Sequence, residues 1–291
     1  MDYTTVTLPN GIIVRGPNEQ LITEVTLRAL GAPDLNFIRS KKEAKKADFV
    51  GSIVRRGVAA LGNIEDPKVI NAIYAECVPA ADELFLLVES RMHSIDEMYP
   101  IDISECPVCE EPHRPVLNLG DLQVTDQPEE FKGKAEITLP VKNADGKDMG
   151  HEITFRPLMT TDQPALAEIS NKHDDKRATM EAMLQLIKVD GETARLAMFE
   201  EKDGPLYSYK MAHAVALTID SAFGGIDFNL EHRCGVKNRL FRTIIRIDPV
   251  DFFFPPARKS TEISTAVPAT RPSGTTAVYS RLADRASSSQ K

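Results

Sequence analysis

Two short stretches of this chain occur twice. Thr7-Leu8-Pro9 recurs as Thr138-Leu139-Pro140, and Glu24-Val25-Thr26-Leu27-Arg28-Ala29-Leu30 recurs as Glu152-Ile153-Thr154-Phe155-Arg156-Pro157-Leu158. Internal similarity constrains a fold more than a single motif does, because one unit must then pack twice. In each copy a glycine, Gly11 or Gly146, lies between the two pieces, and polar and apolar residues alternate around the E-[VI]-T-[LF]-R core. That pattern predicts two strands of a hairpin.

The segments after each hairpin also agree in kind. Phe49, Val50, Ile53, Val54 and Val58 keep helical spacing and predict a helix from about Ser40 to Leu61, closed by Gly62. Asp66-Pro67 opens a second helix, and a third runs from about Ala80 to His93. In the second copy, helices are expected from Asp174 to Val189 and from Leu206 to Ser221. Both copies then reach a strand and a cysteine turn. Pro100-Ile101-Asp102-Ile103 precedes Cys106-Pro107-Val108-Cys109, and Gly225-Ile226-Asp227-Phe228 precedes Cys234-Gly235-Val236-Lys237. The second turn reads as a decayed version of the first.

The fold class is therefore α+β. It has two degenerate repeats, each a β-hairpin plus helices ending in a Cys-bearing, zinc-ribbon-like turn. The first is expected to cover residues 1–130 and the second 131–256, closing on a Phe252-Phe253-Phe254-Pro255-Pro256 strand that tucks two rings inward and leaves the third as a possible anchor for a partner. Residues 257–291, rich in Ser, Thr, Ala, Pro and Arg and without periodicity, are expected to form a disordered tail.

A C-x-x-C turn suits zinc because it sets two sulfurs on one side of the backbone, and a structural zinc takes four such ligands. Cys106 and Cys109 supply two and Cys234 a third. For the fourth, His232 lies two residues from Cys234, on the same face of an extended strand. His113, four residues beyond Cys109, is its rival. The plainer alternative is free thiols at Cys106 and Cys109 and a small core residue at Cys234. Redox use is disfavoured, since Pro112 and Pro115 continue the chain as a loop and no helix opens at the pair. A zinc here is expected to be structural, clamping the end of one copy to the end of the other. Cys77 reads as a packed thiol.

Composition excludes several roles. The net charge of −8 gives no general attraction for nucleic acid, and Arg39–Lys46 reads as a solvated helix start. No apolar run is long enough to cross a bilayer, and the first residues carry neither a basic nor an apolar signal region. No phosphate-binding glycine loop and no nucleophile elbow occurs, and His93, His151, His173 and His213 have no companions at ligand spacing. No enzyme, no small-molecule substrate and no membrane partner is expected.

Taken in order, the Leu-Pro-containing strand, the E-V-T-L-R strand, Asp82–Arg91 (DELFLLVESR), the C-P-x-C turn, the second T-L-P and I-T-F-R-P-L strands, V-D-G, the second Cys turn and D-F-F-F-P resemble the baseplate-protein family of T-even-like contractile phages over about residues 6–256. Members of that family are baseplate hub or hub-assembly components. The resemblance implies a non-catalytic structural or assembly protein of the tail baseplate. Its partners would be other tail and baseplate proteins, and it would be found in the virion or in the host cytoplasm during assembly. Lys237 departs from the pattern, where a complete second turn would have cysteine. The alternatives are a zinc-dependent assembly chaperone absent from the mature virion and, further off, a zinc-ribbon nucleic-acid-binding protein.

Overall fold

The computed structural model describes residues 2–15, 19–40, 48–166, 177–245, 247 and 249–254. The tail expected over 257–291, the starts of two expected helices and His173 lie outside them. The fold mixes helices with small sheets, and every strand pairing among the described residues is antiparallel.

The chain opens with a hairpin of β1 (Tyr3–Val14) and β2 (Gln20–Arg28). It continues through α1 (Ala32–Ile38) and α2 (Phe49–Gly57), and β3 (Val58–Leu61) then adds to the free edge of β2. Next come α3 (Pro67–Cys77), α4 (Ala80–Ser94), the paired β4 (Met98–Pro100) and β5 (Val116–Asn118), and β6 (Gln123–Thr125). Pro67 and an Asp66 side chain that accepts from the Lys68 amide start α3 as read from the sequence.

The second half has a hairpin of β7 (Ile137–Lys142) and β8 (Asp148–Phe155), then α5 (Arg177–Gln185) and β9 (Leu186–Val189), which again adds to the second strand of the hairpin. After β10 (Glu192–Thr193) and α6 (Ala197–Glu200), α7 (Tyr209–Asp220) is capped by Ser208, whose hydroxyl accepts from the Met211 amide. β11 (Gly225–Asp227), β12 (Asn229–Arg233), β13 (Leu240–Ile244) and α8 (Pro249–Phe253) complete the described chain.

Three expectations change. Residues 58–61 and 186–189 are strands, not the last turns of helices. Their apolar residues face a sheet, and Gly62, at φ 56°, turns the chain after a strand and does not cap a helix. The Phe-rich close is a short helix and not a strand. It does turn two rings inward: Phe252 and Phe253 are buried, while Phe254 lies half-buried beneath the guanidinium of Arg39 at 4.0 Å.

The two hairpins share details beyond their strand order. The hydroxyls of Thr5 and Thr26 meet across one at 3.2 Å, and those of Thr138 and Thr154 across the other at 2.9 Å. Arg28 reaches the Ala29 carbonyl and Asp34, whose carboxylate takes the Gly31 amide; Arg156 reaches the Pro157 carbonyl and Asp162, whose carboxylate takes the Met159 amide. The third strand breaks register at the same place, between Thr26 and Leu27 in one sheet and between Thr154 and Phe155 in the other. Gly62 and Asp190 both take positive φ, and both donate their amide to the glutamate that opens the E-[VI]-T stretch, Glu24 or Glu152, at 2.8 Å. The Thr-Leu-Pro match, by contrast, is out of register. Thr138 faces Thr154, so its counterpart is Thr5, and Thr7 faces Glu24.

Two apolar cores form. The first unites β1–β3 and α1–α4 with Ile226, Ile245, Phe252 and Phe253, so the closing segment packs back on the first half. The second is built from β7–β9 and α5–α7. A buried polar joint links the halves. Asp82 on α4 accepts from the Asn10 amide, the Asn10 side chain and the Gly11 amide, each at 3.0 Å, and Asn10 exchanges bonds with the backbone of Gly224 at 3.1 and 2.7 Å. Burial pushes the Asp82 carboxyl up to about 6 against the pull of its donors. Gly224 has no room for a side chain, since a Cβ would lie 2.4 Å from the Thr125 carbonyl. Gln127 adds a second link, donating its side chain to the Ala222 carbonyl and its amide to the Pro9 carbonyl.

Candidate metal centre

The first turn is held by its own backbone. The Cys106 amide donates to the Glu111 carbonyl at 3.0 Å, and the Glu110 amide returns to the Cys106 carbonyl at 2.8 Å. Glu110 takes a left-handed conformation, φ 68°, to make that return. The Val108 amide points at the Cys106 sulfur, 3.4 Å away. The second turn repeats the closing bonds, with the sulfur-directed amide one residue further along. Cys234 donates to the Arg239 carbonyl at 2.9 Å, Asn238 at φ 53° returns to the Cys234 carbonyl at 2.8 Å, and the Lys237 amide points at the Cys234 sulfur at 3.3 Å. The backbone of a cysteine turn is thus kept where Lys237 stands in place of the second thiol.

The turns meet. Sγ of Cys106, Cys109 and Cys234 and a ring nitrogen of His113 all lie within 4.8 Å of one another. His113 Nε2 is 3.0 Å from Cys109 Sγ and 3.7 Å from Cys234 Sγ. Sulfur and nitrogen ligands of one tetrahedral zinc lie roughly 3.5–4 Å apart, given the usual bond lengths. The donor set and its spacing therefore fit a metal ion with little rearrangement. Cys106 and Cys234 are buried, and Cys109 and His113 are half-buried.

His232, the expected fourth ligand, lies outside this group. It sits on β12 opposite Phe241, and its ring packs edge-on to that of Phe241 at 5.3 Å, 6.5 Å from the ring of His113. The alternation that sets residues two apart on one face holds within a strand. Cys234 is past the end of β12 and already in the turn, so the rule does not reach it. His113 is placed by a backbone bridge to Ile103, each amide donating to the other's carbonyl at 2.9 Å. That bridge folds the segment after Cys109 back beside the strand entering the turn.

The electrostatics suit a cation. The Lys237 amide is the largest influence drawing the Cys234 thiol down, to about 6. Burial, together with the neighbouring sulfurs, pushes Cys109 up. Crowded thiols that resist ionising together become compatible once a divalent ion sits between them. Burial and the His113 ring lower His232.

The other histidines play local parts. His93 meets the Asp2 carbonyl, His151 contacts Asp190, and His213 stacks on Tyr209. Among the described residues no helix is long and apolar enough to cross a membrane. Comparison with family models, with curated proteins and with solved structures returned no match.

Proposed function

We propose that this chain is a non-catalytic structural or assembly component of a contractile phage tail baseplate, built from two degenerate copies of one unit and clamped by zinc. The zinc clamp rests on one observation: three thiols and an imidazole, drawn from both halves, converge within 4.8 Å. The first half supplies Cys106, Cys109 and His113, and the second supplies Cys234 alone, so neither half closes the site by itself. With four protein ligands, no position is left for a reacting water, so the ion's part is structural. Duplication accounts for the shared threonine pair, arginine–aspartate contact and register break of the two sheets. The step from Arg28 to Arg156 is the same as from Asp34 to Asp162, Gly62 to Asp190 and Cys106 to Cys234.

The baseplate role is supported by the order of short motifs along residues 6–256, and it is tested separately from the metal. Mass spectrometry of purified tails from cells making this chain should detect it in the finished particle. Detection in assembly intermediates alone would favour an assembly factor released before maturation, and detection in neither would remove the tail reading.

A further inference from the structure

The two cysteine turns share a backbone but carry opposite charge. Glu105 before Cys106 corresponds to Arg233 before Cys234, and Glu111 corresponds to Arg239; Lys237 adds a further positive charge. All five side chains are exposed, and among the described residues no ion pair joins the acidic turn to the basic one. Because the sulfurs of Cys109 and Cys234 lie within 4.8 Å of each other, the acidic turn sits beside the basic one, and we call the pair the tip, with a negative and a positive lobe. The positive lobe also exposes aliphatic side chains, Val236 at 61% and Leu240 at 55%.

We propose that this tip pairs with the same tip of a second copy of the chain. A patch with one negative and one positive lobe is complementary to itself under a two-fold axis, since rotation lays each lobe over its opposite. Val236 of one copy would then meet the exposed Pro107 and half-buried Val108 between the partner's glutamates. The aliphatic character favours a protein face over nucleic acid, for which exposed aromatic rings would offer stacking. Steering by these charges makes the association sensitive to salt.

Sedimentation velocity of the full-length, metal-loaded chain at low ionic strength tests this. A concentration-dependent dimer that dissociates as salt is raised is expected. The pair E105R/E111R makes both lobes positive, and R233E/R239E makes both negative. Each variant alone should self-associate roughly tenfold or more weakly. The two mixed should form a heterodimer, and all four changes in one chain should restore self-association. Metal content measured on each variant separates a lost contact from a lost fold. A chain that stays monomeric at low salt, or a dimer that persists through both charge reversals, would overturn the proposal.

Discussion

The first cysteine turn and the second share their closing backbone hydrogen bonds and differ in chemistry. Both close through an amide-to-carbonyl return at a left-handed residue, Glu110 or Asn238, and both aim an amide at the leading sulfur. Only the first carries a second thiol and a following histidine; the second has Lys237 and, at the position matching His113, Phe241. The turn is thus specified by its backbone and keeps its shape without a second thiol. The candidate centre takes three of its four donors from the first half and one from the second.

The largest effect is expected on removing the histidine that only the first turn has. His113→Ala should lower metal affinity by more than roughly 100-fold, whereas His232→Ala should change it by less than about tenfold, as expected for a residue outside the ligand shell. Competition with a chromogenic chelator reads both. Adding Lys237→Cys to His113→Ala should recover much of the lost affinity, because it returns a thiol to the position that Cys109 holds in the first turn.

The next largest effect separates the two cores. Phe252 lies edge-on to Tyr99 at 5.0 Å and beside the buried guanidinium of Arg91, so Phe252→Ala should cost about 3–5 kcal/mol. Phe155, edge-on to Phe223 at 5.7 Å in the second core, should cost a similar amount. If the closing helix ties the halves into one unit, denaturant melts of both variants show a single transition. A melt in which Phe252→Ala releases the first half alone would show that the joint is weak.

Charge burial comes next. Glu83, in the first half, is buried against the Tyr74 hydroxyl, and burial raises its carboxyl to about 7. A carboxyl raised on folding binds more protons in the folded state. Its contribution is therefore greatest below the unfolded value near 4.5 and falls as pH rises towards 7. Glu83→Gln should flatten that decline, by roughly 3 kcal/mol at most across the interval, in urea melts between pH 4.5 and 8. The smallest effects should be equal in the two halves. Asp34→Ala and Asp162→Ala each remove the carboxylate that an arginine and a loop amide share, Asp34 also meeting the more exposed Arg56 at 3.4 Å, and each should cost about 1–3 kcal/mol. Unequal costs would mean that the two contacts only look alike.

Much of this could be read from the residues. The alternation around Glu24–Leu30 and Glu152–Leu158 marks the strands, Asp66-Pro67 marks a helix start, Cys106 and Cys109 stand at metal-ligand spacing, and Cys234 lies in a turn of similar sequence. What could not be read is set by partners distant in sequence. Val58–Leu61 and Leu186–Val189 continue an apolar helical pattern, and only the open edges of β2 and β8 draw them into sheets. The Thr-Leu-Pro repeat matches in letters and not in register, because Thr7 pairs with Glu24 whereas Thr138 pairs with Thr154, and strand register is set by the partner strand. That His113 and not His232 joins the cluster depends on where β12 ends and on a bridge between Ile103 and His113, neither of which leaves a local signal. The Asn10–Asp82–Gly224 joint is likewise a matter of three elements meeting.

Elemental analysis of the purified chain, beside Cys106→Ser and Cys234→Ser, bears most directly on the shared centre. One zinc per chain is expected in the wild type, with its loss from both variants and a lowered melting temperature in each. Zinc retained at full occupancy by Cys234→Ser, or a wild-type chain that binds none, would show that the second half does not close the site.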